Sequence, residues 1–107
     1  MAEKVPELSP GEFDSFIKKG IVLIDFFAEL HMSCMMMIPI LEDLSDKFKN
    51  KIKFGKIDVG ENQEIAQKFN VNFIPNFILF KDGKVIEQFV GSINEEDFIN
   101  KLQKFIE

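Results

Sequence analysis

One short apolar run constrains this chain more than any other stretch. Ile21 to Phe27 is apolar except for Asp25, and Gly20 precedes it. A run of this length, rich in β-branched residues and without a polar face, is typical of a strand that is buried on both sides of a sheet. Asp25 would then be a buried acid, which is costly unless it has a partner or a function. The sequence therefore predicts a central strand with an acid inside it.

A helix should follow this strand after a short turn. Apolar residues recur at Met37, Leu41, Leu44 and Phe48, which is the spacing of one helix face. The turn before this helix contains the segment His31 to Cys34. Because ligands of α/β proteins bind beyond the carboxyl ends of the strands, we expect a functional site at this turn.

The residues around the turn resemble the active-site segment of the thioredoxin family, D-F-W-A-E-W-C-G-P-C-K-M-I-A-P-I-L. The matching positions are Asp25, Phe26, Ala28, Glu29, Cys34, Met36, Pro39, Ile40 and Leu41. The similarity then extends along nearly the whole chain. It implies an α/β thioredoxin fold in a single domain over residues 1–107. The expected architecture is a central five-stranded mixed sheet flanked by four helices, in the order β-α-β-α-β-α-β-β-α.

The departures from the family pattern lie in the turn itself. His31 stands where the family has its attacking cysteine, so that C-x-x-C reads H-x-x-C, and Met32 and Ser33 replace the intervening Gly and Pro. The chain has one cysteine, Cys34, which matches the family's resolving cysteine. One cysteine cannot form an intramolecular disulfide. In this natural or engineered variant of a thiol-disulfide oxidoreductase, dithiol activity is therefore expected to be lost or reduced to monothiol chemistry.

The chemistry of the altered site has several interpretations. His31 and Cys34 are three residues apart on a helix face, so the imidazole could hold the thiolate as an ion pair and make Cys34 a nucleophile. Alternatively, Cys34 is a buried small side chain and His31 an exposed one. The resemblance implies that Asp25 accepts a proton from Cys34, with Lys56 nearby as a supporting residue. The alternative is a purely structural pair of Asp25 and Lys56.

Metal binding is a further hypothesis. His31, Cys34 and Met35 carry the soft and borderline ligands that favour copper or zinc. One chain has a single His and a single Cys, so a copper, zinc or iron-sulfur site would need a symmetric dimer. Apart from such a metal ion, no cofactor is expected.

A substrate groove is implied by the resemblance. The Ile74-Pro75 peptide matches the family's cis-proline loop, which faces the active-site turn and offers backbone groups to an extended substrate. We expect this groove to be lined by Leu30, Phe73, Ile74, Pro75 and Gly91. The implied partners are extended segments of protein substrates and a thioredoxin-reductase-like protein. Without catalysis, the same groove would make the chain a peptide-binding module.

The remaining elements follow from local patterns. We predict a short edge strand in Met1 to Leu8, a helix from an N-cap at Ser9 to Gly20, a strand over Lys51 to Val59, a helix over Asn62 to Phe69, a hairpin of Phe77 to Phe80 and Lys84 to Val90, and a last helix over Asn94 to Ile106.

Composition limits the partners and the location. The net charge is −5 and no basic stripe is present, which argues against nucleic acid and against an acidic membrane surface. The sequence has no apolar region of the kind found in a signal peptide and no run long enough to span a membrane, so we expect a cytoplasmic protein. It should be a monomer, or a dimer if a metal or an intermolecular disulfide joins two chains.

Overall fold

The strand predicted at the centre of the chain is present with the predicted bounds. The computed structural model describes residues 4–107, in which four helices and four strands are formed. In chain order they are α1 (Pro10–Ile17), β1 (Ile21–Phe27), α2 (Met32–Lys47), β2 (Lys53–Asp58), α3 (Gln63–Lys68), β3 (Asn76–Lys81), β4 (Lys84–Val90) and α4 (Glu95–Ile106). This is the α/β architecture in one domain that the sequence predicted, with the expected four helices.

The strands form one mixed sheet in the order β2-β1-β3-β4. β1 is parallel to β2, with Asp25 opposite Lys56, and antiparallel to β3, with Phe26 opposite Asn76. β3 and β4 form the predicted antiparallel hairpin. The carboxyl end of β1 therefore lies beside the beginning of β3, which positions the turn before α2 at the same edge of the sheet as the segment that precedes Asn76.

The prediction of five strands is wrong for the described part of the chain, where the sheet has four. Of the predicted edge strand, Met1 to Glu3 lie outside the described residues, and the rest forms only an isolated parallel bridge between Glu7 and Lys56. The Leu8 N–H donates to the Lys56 carbonyl at 2.8 Å, and the Lys56 N–H donates to the Pro6 carbonyl at 2.9 Å. Pro6 has no N–H to extend this ladder, and Pro10 begins a helix. The segment consequently pairs with β2 at a single point.

The largest differences from the predicted bounds are at the end of α1 and the beginning of β2. Both ends of α3 and β3, the beginning of α4 and the end of β2 differ by one residue. α1 ends at Ile17 instead of continuing to Gly20. Gly20 has a φ of +74°, and its N–H donates to the Asp82 carboxylate at 2.8 Å in the turn that leads into β1. β2 begins at Lys53 instead of Lys51, because the N–H groups of Lys51 and Ile52 both donate to the Phe48 carbonyl in the turn after α2.

The alternation of β1 separates two hydrophobic clusters. Val22, Ile24 and Phe26 pack with α1 and part of α3, whereas Leu23 belongs to the cluster that includes the buried faces of α2 and α4. The predicted α2 face of Met37, Leu41, Leu44 and Phe48 is buried there, as expected. Since side chains alternate along a strand, Asp25 lies on the same face as Leu23, under α2.

Candidate active site

A sharp turn carries the chain from β1 into α2. Leu30 has a φ of +64°, which is uncommon for a residue with a side chain, and the His31 N–H donates to the Ala28 carbonyl at 3.3 Å. His31 is the N-cap residue of α2 with an extended backbone, and its side chain makes no capping hydrogen bond. The Met35 N–H donates to the His31 carbonyl at 3.0 Å and closes the first helical turn. Cys34 is therefore held in that first turn.

His31 and Cys34 lie in different environments. The His31 side chain is exposed, whereas Cys34 is a free cysteine with only 4% of its surface exposed. Burial raises the pKa of the Cys34 thiol, a backbone hydrogen bond from Ala28 lowers it, and the charge of Asp25 raises it. His31 is not among the groups that shift this pKa. The thiol is therefore less ionised at neutral pH than a free cysteine, and the arrangement agrees with the interpretation of Cys34 as a buried side chain.

Asp25 is the second ionisable group of the site. It is 3% exposed, and its Oδ1 atom has no hydrogen-bond partner among residues 4–107. Burial raises the pKa of Asp25 to about 7, and the positive charge of Lys56, its neighbour on β2, acts in the opposite direction. The acid is therefore close to half ionised at neutral pH, a state in which it can both accept and release a proton.

A cavity of about 190 Å³ connects these groups. Its lining contains five of the predicted site residues, namely Asp25, Leu30, Cys34, Met35 and Lys56, together with Phe27, Ala28, Glu29 and Ile38. Asp25 and Lys56 also line a second cavity of about 180 Å³, which lies beside Val5, Ile38, Leu41 and Glu42. The thiol and the buried acid thus share one mostly apolar space.

Four wall residues of this space, Phe27, Ala28, Glu29 and Ile38, were not among the predicted site residues. For Phe27 and Ile38 the sequence contains a signal. Phe27 is two residues beyond Asp25 on the same face of β1, and Ile38 is four residues beyond Cys34 on the same face of α2. Strand periodicity from Asp25 and helix periodicity from Cys34 indicate these two positions.

The predicted groove residues occupy the loop before β3 and the end of β4. The Ile74-Pro75 peptide bond is cis, as the resemblance implied, and Pro75 is buried. Gly91 has a φ of +92°, and its N–H donates to the Pro75 carbonyl at 2.8 Å. Phe73 is 72% exposed, and Ile74 is half-buried. Of the predicted groove residues, only Leu30 lines the cavity beside Cys34, so the continuous groove stays a prediction.

The metal hypothesis finds no support within one chain. No group of three or more His, Cys, Asp or Glu residues in the described part of the chain could hold a metal ion. Cys34 is buried and its pKa is raised, which disfavours the thiolate that a metal requires.

Among residues 4–107, no helix has the length and apolar character needed to cross a membrane.

Comparisons with known proteins give a consistent result. The family model described as Thioredoxin matches residues 4–104. The chain is 42% identical over 97 residues to a thioredoxin of Chlamydia pneumoniae, covering 91% of this chain and 94% of that protein. It is 34% identical over 102 residues to a thioredoxin of Staphylococcus aureus, covering 95% and 98% respectively. Among solved structures, it is similar to a mutant thioredoxin from Halobacterium salinarum NRC-1, with a TM-score of 0.87 and 29% identity over 100% of this chain and 96% of that one.

The sheet order, the cis-proline loop and the thiol at the start of α2 define a class, the thioredoxin-fold scaffold of thiol-disulfide oxidoreductases. Within this class, the family match and the relatives show that the chain belongs to the thioredoxin family.

Proposed function

We propose that this protein is a monothiol member of the thioredoxin family, in which His31 occupies the place of the attacking cysteine and dithiol reduction of proteins is lost. The observation that carries the proposal is the position of Cys34. It is the one cysteine of the chain, and it shares a cavity with the buried Asp25. A single thiol next to a half-ionised acid supports exchange with a disulfide, but it has no second thiol to resolve the product.

The exchange step follows from these two groups. The Cys34 sulfur attacks one sulfur of a disulfide, the disulfide bond breaks, and a mixed disulfide forms on Cys34. Asp25 takes the thiol proton, and the departing thiolate is protonated in turn. Release of Cys34 then needs a second thiol from solution, because the exposed His31 cannot form a disulfide. The raised pKa of Cys34 predicts a slow first step at neutral pH.

Extended segments of protein substrates are the proposed partners. The support is the cis-proline loop together with the exposed apolar side chains of Leu30 (87% exposed) and Phe73 (72% exposed). A thioredoxin-reductase-like protein would have no disulfide to reduce within one chain, so its role would be limited to mixed disulfides. A free buried thiol fits a reducing compartment, and we propose a cytoplasmic location.

Catalysed reduction of insulin by dithiothreitol tests the proposal. The wild-type protein should leave the rate close to the uncatalysed value, and Cys34→Ser should remove whatever acceleration remains. His31→Cys restores the family motif and should accelerate the reaction strongly, since a resolving pair is then present. A wild-type rate equal to that of the His31→Cys variant would contradict the proposal.

Peptide binding without exchange is the second candidate function, and the same exposed loop residues favour it. Titration of the Cys34→Ser variant with extended peptides measures binding when thiol chemistry is impossible. Saturable binding that Phe73→Ala weakens supports the binding module. Binding that is absent in Cys34→Ser but present as a covalent adduct in the wild type supports the monothiol reaction instead.

A further inference from the structure

Four of the five methionines of the chain lie at the beginning of α2. Three of them are exposed, with 69% of Met32, 47% of Met35 and 65% of Met36 accessible to solvent, whereas Met37 is 1% exposed. The helical repeat causes this difference, because Met37 lies on the face that packs against the sheet and the other three lie around the remainder of the first turns. The exposed sulfur-containing side chains of the site are therefore the thioethers, whereas the thiol side chain is buried.

The two kinds of sulfur differ in what oxidation requires. A thiol is oxidised by peroxides as the thiolate, and Cys34 is buried with a raised pKa. A thioether needs no ionisation, so only its accessibility limits the reaction. Because Cys34 is buried and its methionine neighbours are exposed, the thioethers are expected to be oxidised before the thiol.

We propose that Met32, Met35 and Met36 form an oxidation site at which a hydroperoxide converts exposed thioethers to sulfoxides before it oxidises Cys34. In each step the peroxide O–O bond breaks, one oxygen atom bonds to the methionine sulfur, and the peroxide leaves as water or an alcohol. The sulfur loses two electrons and the peroxide gains them, and no proton is taken from the protein. This reaction does not depend on the proposed thiol exchange.

The modification changes the character of the surface around the turn. Each sulfoxide replaces an apolar, flexible side chain by a polar one. Met35 lines the cavity beside Cys34 and Leu30, so its oxidation places a polar oxygen atom at the wall of that cavity. Met32 and Met36 change the surface outside it.

Timed oxidation of the reduced protein with hydrogen peroxide at neutral pH tests the proposal. Intact mass should rise in steps of one oxygen atom, and peptide mapping should assign the first steps within α2 to Met32 and Met36, followed by Met35. Mapping is needed because Met1, outside the described residues, also carries a thioether. Met37 should react at least about tenfold more slowly than the exposed methionines, since its oxidation requires local opening of the helix. Thiol titration should still find one free thiol per chain when the exposed methionines are oxidised.

Matched variants assign the steps. Met36→Leu should remove one fast step, and Met37→Leu, which conserves volume in the core, should leave all the fast steps unchanged. In urea-unfolded protein, Met37 should become as reactive as the other three. The proposal is overturned if Cys34 loses its thiol before Met32 and Met36 are oxidised. It is also overturned if Met37 reacts in the native protein as fast as Met36.

Discussion

The two faces of the sheet are covered by similar numbers of helices and differ in what they bury. On the face under α1, the side chains from β1 and β3 are apolar except for the buried Asn76 at the start of β3, and Phe13 contacts Phe26 and Phe80 with ring centroids 6.3 and 5.9 Å apart. On the face under α2, a hydrophobic cluster is interrupted at one end by Asp25 and Cys34 and by the cavity between them. Phe26 and Asp25 are adjacent in sequence, yet they belong to opposite faces.

This difference separates stability from chemistry. The phenylalanine face buries rings that pack edge to face, an arrangement that adds to the free energy gained from burial alone. The α2 face buries an acid whose Oδ1 atom has no partner among residues 4–107, which destabilises the native state whenever the acid is charged. The phenylalanine face therefore stabilises the fold, whereas the charged form of Asp25 on the α2 face destabilises it. Three predictions test this separation.

The largest effect is expected on the phenylalanine face. Phe80→Ala should lower the free energy of unfolding by about 3–5 kcal/mol, because it leaves a cavity among fully buried rings. Urea denaturation measures the loss. Val85→Ala on β4, where the side chain is 46% exposed, is the matched control and should cost less than about 1 kcal/mol. Similar losses for both variants would show that this face is not closely packed.

The second effect concerns Asp25 and depends on pH. Its pKa is about 7 in the folded protein against an ordinary 3.8, so the native state binds more protons than the unfolded state between these values. Stability therefore falls as the pH rises from about 4 through about 7, and the full cost above that range is about 4 kcal/mol. Asp25→Asn, which carries no charge, should be more stable than the wild type by up to about 4 kcal/mol at about pH 9 and by about 2 kcal/mol at about pH 5.

Urea denaturation at both pH values measures this gain. Asp14→Asn, at an exposed position of α1, is the control and should change stability by less than about 0.5 kcal/mol at either pH. A gain from Asp25→Asn that is equal at both pH values would mean that the carboxyl does not titrate in this range in the folded protein.

The smallest effect compares the beginnings of the two helices on the α2 face. Asn94 caps α4 by accepting a hydrogen bond from the Asp97 N–H at 2.9 Å, so Asn94→Ala should cost about 1 kcal/mol. His31→Ala at the start of α2 should change stability by less than about 0.5 kcal/mol, since His31 makes no such bond. The rate at which Cys34 reacts with a thiol reagent should also be unchanged in His31→Ala. A faster or slower reaction would show that the imidazole acts on the thiol.

Local patterns predicted most of the elements and failed where a distant partner decides the structure. β1 and β4 have the predicted bounds, and the buried face of α2 is the one that its periodicity indicated. The weakly patterned amino-terminal segment was predicted as a short edge strand. A strand forms only if it pairs with its neighbour along its length, and Pro6 limits that pairing to one bridge. The wall residues Phe27 and Ile38 were missed because the site was assigned from motif positions alone.

The sequence by itself determined that this chain has one thiol, Cys34, and that an acid, Asp25, lies inside an apolar strand. It also determined that a helix with one apolar face begins between these two residues. These properties depend on residue order over a few turns or strand pairs. Tertiary structure alone decided that Cys34 is buried while three neighbouring methionines are exposed, and that the pKa of Asp25 is raised to about 7. Desolvation is the physical reason, because it depends on which atoms of α2 and β2 cover the carboxyl and the thiol, and those atoms come from parts of the chain that are far apart in sequence.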